Sequence, residues 1–249
     1  MSLTLFYLFF AAFVAGVVDA IAGGGGLITV PVLLGIGLPP QVALGTNKLQ
    51  ASFGSGSAML HFIRAGQIRL RDCLIGVIWT AVGAGLGVGA VQLLDPALLR
   101  QLIPWLLGAI VLYTLFSPKL GQDDIHARWP AGPFYLVFGL GIGFYDGFLG
   151  PGTGSFWAMA FMLLLGYSMV RATAYTKVMN FTSNAVALLF FLIVGQVQIV
   201  EGLVMGAGQF LGARIGARLV TRRGAAFVRP VFIIMVLLVL VKLILQNRG

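Results

Sequence analysis

Gly16-Val17-Val18-Asp19-Ala20-Ile21-Ala22-Gly23-Gly24-Gly25-Gly26-Leu27-Ile28-Thr29-Val30-Pro31 sets an acid inside an apolar run and follows it with four consecutive glycines. Each glycine costs a helix interior about 1 kcal/mol relative to alanine, so the run predicts a broken helix. The chain does the same again at Gly143-Phe144-Tyr145-Asp146-Gly147-Phe148-Leu149-Gly150-Pro151-Gly152-Thr153-Gly154-Ser155. Asp19 precedes Gly23 by four residues, and Asp146 precedes Gly150 by four. Two such breaks in register point to a site rather than to an accident of packing.

Around these breaks the chain is lipid-compatible. Of its 249 residues 59% are hydrophobic and 9% charged, with a mean hydropathy of +1.00; a soluble domain is about 25% charged. The net charge of +9 gives no basic stripe with interleaved aromatics, which excludes nucleic acid as a partner. The arginines gather at segment ends, where they set orientation. The single cysteine, Cys73, excludes an intramolecular disulfide and a cysteine-cluster metal site. The first ten residues carry no basic segment and the apolar run meets Asp19 and glycines, so no cleaved signal peptide is predicted.

Spans of about 20 apolar residues cross a bilayer. Five apolar segments precede a polar loop: 3–21, 26–38, 41–63, 72–94 and 98–116. The loop, Ser117 to Trp129, carries Pro118, Lys119, Asp123, Asp124, His126 and Arg128. Five more follow, at 131–149, 154–166, 168–194, 199–220 and 227–246. The second segment of each set is short and follows a glycine break, the pattern that marks a transporter's binding site.

The two sets are repeats. Asp19 to Asp146 is 127 residues, Lys48 to Lys177, Phe62 to Phe191 and Gly83 to Gly212 are each 129, and Pro104 to Pro230 is 126. The expected organisation is an all-α polytopic membrane protein: a first transmembrane repeat at 1–116, a cytoplasmic linker at 117–130 and a second repeat at 131–249. Basic residues swap sides between them. Arg64, Arg69 and Arg71 follow the third segment, while Gln196 to Glu201 in the second half has none; Arg100 follows the fourth, against Arg218, Arg222, Arg223 and Arg229. The positive-inside rule then predicts inverted halves with an odd number of crossings each. Five crossings per half, or three plus a re-entrant hairpin, both fit. Lys242 and Arg248 run against this orientation.

Each half also places one acid and one lysine in its apolar segments, Asp19 with Lys48 and Asp146 with Lys177. Ionisable groups at membrane depth cost about 2.5–3.5 kcal/mol each, which makes a cavity or an ion pair their expected setting. Lys48 with Asn47 and Gln50, and Lys177 with Asn180 and Ser183, surround a cationic head with amide and hydroxyl groups. A small oxyanion needs such donors and charge. The backbone of Gly24 and Gly25, and of Gly152 and Thr153, adds N–H groups, and the segments opening at Gly26 and Gly154 present positive helix ends. The competing reading is structural Asp–Lys pairs. Asp19 and Asp146 would orient a lysine or carry a proton rather than touch an anion.

The glycines Gly83, Gly85, Gly87 and Gly89, and Gly206, Gly208, Gly212 and Gly216, lack the Gly-Lys-Ser/Thr of a P-loop and predict close helix packing. Arg214 is either a third cationic group or a side chain reaching the interface. His61 and His126 lack metal-ligand spacing. Trp79, Trp105, Trp129 and Trp157 are expected as interface anchors. No Ser/His, Cys/His or metal-ligand set suggests an enzyme, and no cofactor or metal is expected.

Asp19-Ala-Ile-Ala-Gly-Gly-Gly-Gly, the Gly45-Thr-Asn-Lys-Leu-Gln50 run, and Gly143 to Gly152 with Lys177 and Asn180 resemble the TauE/SafE family of sulfite exporters, bacterial membrane permeases. The likeness spans about Phe10 to Lys242 and includes the duplication. It implies a multi-pass protein of the cytoplasmic (inner) membrane that exports sulfite, sulfoacetate or a related organosulfonate through a midplane site between the halves. It also implies seven or eight spans, which favours re-entrant or half-length second segments. Pro151 and Thr153 depart from the first glycine run, so the two half-sites are not equivalent. Proton-coupled import and a channel-like pore remain as alternatives. The expected partners are a small anion, the bilayer and, as one open arrangement, a second copy in a homodimer.

Overall fold

The computed structural model describes residues 3–115 and 126–246, with side-chain surroundings for 3–106, 109 and 126–223. The loop residues Pro118, Lys119, Asp123 and Asp124, and Arg248, lie outside the described residues, as do the side chains of Arg229 and Lys242. Every regular element among the described residues is helical. Helix α1 is Leu3–Ala22, α2 Gly26–Gly35, α3 Pro40–Arg64, α4 Leu74–Gln92 and α5 Pro96–Leu115. A short α6, Ala131–Phe134, continues through a π turn, Tyr135–Gly139, into α7, Leu140–Phe148. Then come α8, Thr153–Leu164, α9, Met169–Ile193, and α10, Ile199–Gln246.

The glycine breaks are where the sequence puts them. Gly23 has φ +75° and Gly150 φ +97°, a region that residues with a Cβ rarely enter. The short helices that follow, of 10 and 12 residues, are about 15 and 18 Å long, well short of a bilayer's roughly 30 Å. Both fold back along the helix before them. Leu8 and Ala12 of α1 pack with Val32 and Leu33 of α2. The N–H groups of Arg128 and Trp129, just before α6, donate to the Leu164 carbonyl at the end of α8, at 2.8 and 3.1 Å. Each break thus makes a helical hairpin with one short leg. Among the described residues three stretches are long and apolar enough to cross a membrane: Leu3–Ala22, Leu70–Gln92 and Met169–Ile193.

The tips of the two hairpins meet. Ser155 Oγ donates to the Ala22 carbonyl at 3.0 Å, and a Cβ on Gly26 would stand 3.0 Å from Pro151 Cα. Glycine stripes hold the flanking helices together. Gly208, Gly212 and Gly216 of α10 receive the carbonyls of Phe9, Phe13 and Val17, so α1 and α10 run parallel; Gly83 and Gly87 of α4 receive those of Leu140 and Phe144 on α7. This is the small-residue packing expected of them, though Gly89 faces open space and Gly85 only touches Phe190. The long helices α3 and α9 cross antiparallel: Gly45 meets Phe191, Gly56 meets Phe181, and the Arg69 N–H donates to Tyr175 Oη at 3.2 Å.

Two expectations need correction. The stretches 199–220 and 227–246 are not separate helices but one, Ile199–Gln246. Arg222, Arg223, Ala225 and Ala226 between them are strong helix formers; charge there marks a change of surroundings, not an end. Trp157 is no interface anchor. It is fully buried and stacks on Phe161 at 5.2 Å between centroids, inside a cluster with Phe134, Tyr135, Tyr167 and Tyr175. The hairpin draws α8 into the interior and the indole with it. Arg171 stands 4.0 Å over the Tyr167 ring; burial raises the Tyr167 pKa and that guanidinium partly opposes the rise. Trp105 and Trp129 are exposed and Trp79 is partly buried.

Candidate functional site

The broken helices end in negative dipoles, and a lysine meets each end. Lys48, from α3, donates to the Asp146 carbonyl in the last turn of α7 and to Asp146 Oδ1 at 2.6 Å. Lys177, from α9, donates to the Asp19 carbonyl near the end of α1 and to Asp19 Oδ2 at 3.1 Å. The acid and lysine that each half contributes thus serve opposite partners. Both lysines are almost wholly buried, at 1% and 0% exposure. Gly150 lets the first approach happen: a Cβ there would lie 2.6 Å from Lys48 Nζ.

The carboxylates are further engaged. Ser183 Oγ donates to Asp146 Oδ2, and the Gly25 N–H to Asp19 Oδ1 at 3.2 Å. Asn47 Oδ1 accepts from Thr29 Oγ1 at 2.6 Å and from Gln50 Nε2 at 2.7 Å. Thr153 Oγ1 donates to the Gly150 carbonyl at 2.5 Å, closing the second break.

A cavity of about 20 Å³ opens between the hairpin tips, little more than one water needs. Of the expected site residues Asp19, Asp146, Asn47, Asn180, Gly152 and Thr153 line it. Lys48, Lys177, Gln50, Ser183 and Gly25 stand behind that lining, tied to it by the bonds above; Gly24 does not line the cavity, and its carbonyl accepts from Leu27 N–H at 3.0 Å. Gly23, Gly26, Gly150 and Gly154, from the glycine breaks that the sequence singles out, line it too; the sequence reading misses Gln209, Asn184 and Ala51. The signal for Gln209 is visible: it is the lone amide between Glu201 and Arg214 in an otherwise apolar or glycine stretch. Arg214 is exposed and does not line the cavity. His61 Nε2 lies 3.2 Å from Thr221 Oγ1, joining α3 to α10.

Three oxygens in this region, Gln50 Oε1, Asn180 Oδ1 and Gln209 Oε1, are buried without a hydrogen-bond partner. Such groups are uncommon in folded proteins. The arrangement is a closed, polar pocket between helix breaks, with its carboxylates already countered by lysines. Among the described residues no group of three or more His, Cys, Asp or Glu side chains converges as a metal site.

The chain is similar to known proteins along its length. A family model described as sulfite exporter TauE/SafE matches residues 8–243. A probable membrane transporter protein of Haemophilus influenzae is 47% identical over 241 residues, covering 95% of this chain and 93% of its own. The probable membrane transporter protein YfcA of Escherichia coli K12 is 46% identical over 247 residues, 99% and 92% of the two chains. YunE of Bacillus subtilis, also a probable membrane transporter protein, is 26% identical over 230 residues, 82% and 84%. No solved structure matches. With nearly the whole length matched, the protein is a membrane protein and belongs to the TauE/SafE family of membrane transporters.

Proposed function

We propose that the protein exports a small sulfur-containing anion, such as sulfite, sulfoacetate or a related organosulfonate, across the cytoplasmic (inner) membrane. The observation that carries this is the meeting of two glycine-broken hairpins around one polar cavity. The parallel packing of α1 on α10 and α4 on α7, and the antiparallel crossing of α3 and α9, support two inverted halves with the pocket near the midplane. The arginine-bearing ends support the orientation. The loops with Arg64, Arg69 and Arg71 meet Tyr175 near Arg171, and His61 meets Thr221 near Arg218 and Arg222.

Asn47, Asn180, Gly152 and Thr153 contact the anion. Lys48 and Lys177 supply charge from behind Asp146 and Asp19, with Gln50, Ser183, Gly24 and Gly25 holding the lining in place. The pocket is too tight for an organosulfonate as it stands, so the halves separate to admit one. An anion leaving a cell that is negative inside gains about 2.3 kcal/mol per charge per 100 mV, and export needs no coupled ion. A second reading, proton-coupled import, is favoured by one feature: the acids rather than the lysines line the cavity.

Flux of radiolabelled sulfite and sulfoacetate into proteoliposomes, under an imposed potential with and without a pH gradient, separates these. Saturable flux driven by potential alone supports export by uniport. Flux that requires the pH gradient supports import with Asp19 or Asp146 as the carrier. Flux that does not saturate indicates a channel.

A further inference from the structure

The pocket's charge and its unpaired oxygens reach beyond the identity of the anion to its protonation state. Resting on the anion reading above, we propose that the site takes a singly charged, singly protonated oxyanion, and that Gln209 and Asn180 read its remaining proton.

Charge comes first. The charged groups at the cavity among the described residues are Asp19 on α1 and Asp146 on α7, which line it, with Lys177 on α9 and Lys48 on α3 behind them. They sum to zero, and each lysine already holds a carboxylate. The helix ends cancel as well, each worth about half an elementary charge: the negative ends of α1 and α7 are met by the lysines, and the positive ends of α2 and α8, whose first residues Gly26 and Thr153 line the cavity, face the guest. With no net positive charge beside two carboxylates, each further negative charge on the guest adds to a burial cost that grows steeply in a low-dielectric site, so a monoanion is held where a dianion is not.

Hydrogen bonding points the same way. Asn180 Oδ1 and Gln209 Oε1 are acceptors, on side chains 5% and 2% exposed, with no donor. A fully ionised oxyanion brings acceptors only. A half-ionised one brings one O–H, which one of these oxygens accepts or the two share, and its other oxygens take the amide N–H groups. Gln209 is seated for the task. Gly54 leaves the slot it occupies, since a Cβ there would lie 2.5 Å from Gln209 Cγ. The residue 129 positions earlier, Thr80, instead donates to Met179 Sδ at 3.4 Å, so only one half brings this amide to the cavity.

Sulfite is the probe, because its second ionisation lies near neutral pH. Its flux is measured in proteoliposomes with equal pH on both sides and no potential, across that ionisation. The expected result is that KM for total sulfite rises about tenfold per pH unit above the ionisation, so that all rates fall on one curve against monoanion concentration. Sulfate does not compete. Methanesulfonate, a fixed monoanion without a proton, competes weakly and equally at every pH. Gln209→Met raises the sulfite KM about tenfold or more and weakens methanesulfonate competition by much less; Gln209→Asn, which keeps a shortened amide, falls between and serves if the Met variant does not fold. Saturable flux that follows the dianion, competition by sulfate, or a pH dependence shared by methanesulfonate (which would trace it to Asp19 or Asp146) overturns this proposal alone. Absence of saturable sulfite flux at every pH overturns it together with the reading beneath it.

Discussion

Removing Lys48 tests whether its ion pair holds the fold, the substrate or both. In Lys48→Met the Asp146 carboxylate, 2% exposed, loses its ammonium partner and keeps only Ser183. The carbonyl at the end of α7 loses its donor too. Breaking a buried ion pair from one side costs about 3–5 kcal/mol, a large share of a folded protein's roughly 5–15 kcal/mol. At about 2–4 °C per kcal/mol for a chain of this size, the midpoint of thermal unfolding in detergent should fall by about 6–20 °C. Asp146→Asn alone leaves Lys48 as the uncompensated charge and should fall by a similar amount. The double variant Lys48→Met with Asp146→Asn removes both charges and should recover most of the loss. Thermal scans of the monodisperse protein measure all three, and sulfite flux is then read in the double variant, where folding is no longer the issue. The reasoning is refuted if the single variants melt no lower than the double. If the double variant melts normally and transports at the wild-type rate, the lysine is a structural group and has no part in holding the anion.

Other expectations follow from single contacts. On α4, Gly87→Ala should destabilise by about 1–3 kcal/mol, because its Cβ would enter the backbone of α7 at Phe144 and Phe148, whereas Gly89→Ala, two residues on and facing open space, should stabilise by about 0.5–1 kcal/mol; paired thermal scans compare them. Gly150→Ala should cost at least about 1–2 kcal/mol from its left-handed backbone alone and should also push Lys48 off Asp146, so that sulfite flux drops in whatever protein still folds. Ser183→Ala takes one donor from Asp146 and should cost about 1–3 kcal/mol, less than Lys48→Met in the same scan. With Cys73 replaced by alanine, single cysteines at Arg71 and Arg218 should react with an impermeant maleimide from the cytoplasmic side only, and one at Leu93 from the other side only; labelling of all three from one side would undo the orientation.

The parts of this architecture that depend on local backbone energetics can be read from the sequence. Four glycines in a row, or glycines flanking Pro151, weaken a helix wherever they stand, so the breaks and nearly all of the helix ends fall within a few residues of the apolar pattern. The direction of the chain after each break is another matter. A 10-residue α2 can continue across the bilayer or turn back with the same composition, and only the packing of Leu8 and Ala12 on Val32 and Leu33 decides it. The same limit hides the ion pairs. A 127-residue offset between the acids and a 129-residue offset between the lysines identify equivalent positions, but equivalence does not say which half a side chain reaches into. Gln209 is legible as an oddity in an apolar stretch, yet its meaning comes from the slot at Gly54 on a helix some 150 residues away. The exchange of partners also bears on how such a protein can move. Because Lys48 answers to Asp146 and Lys177 to Asp19, any motion that separates the two halves strains both pairs together. A guest or a proton that takes over part of either pair lowers that barrier. In the proposed transport cycle, occupancy of the pocket and movement of the halves are linked by the same four side chains.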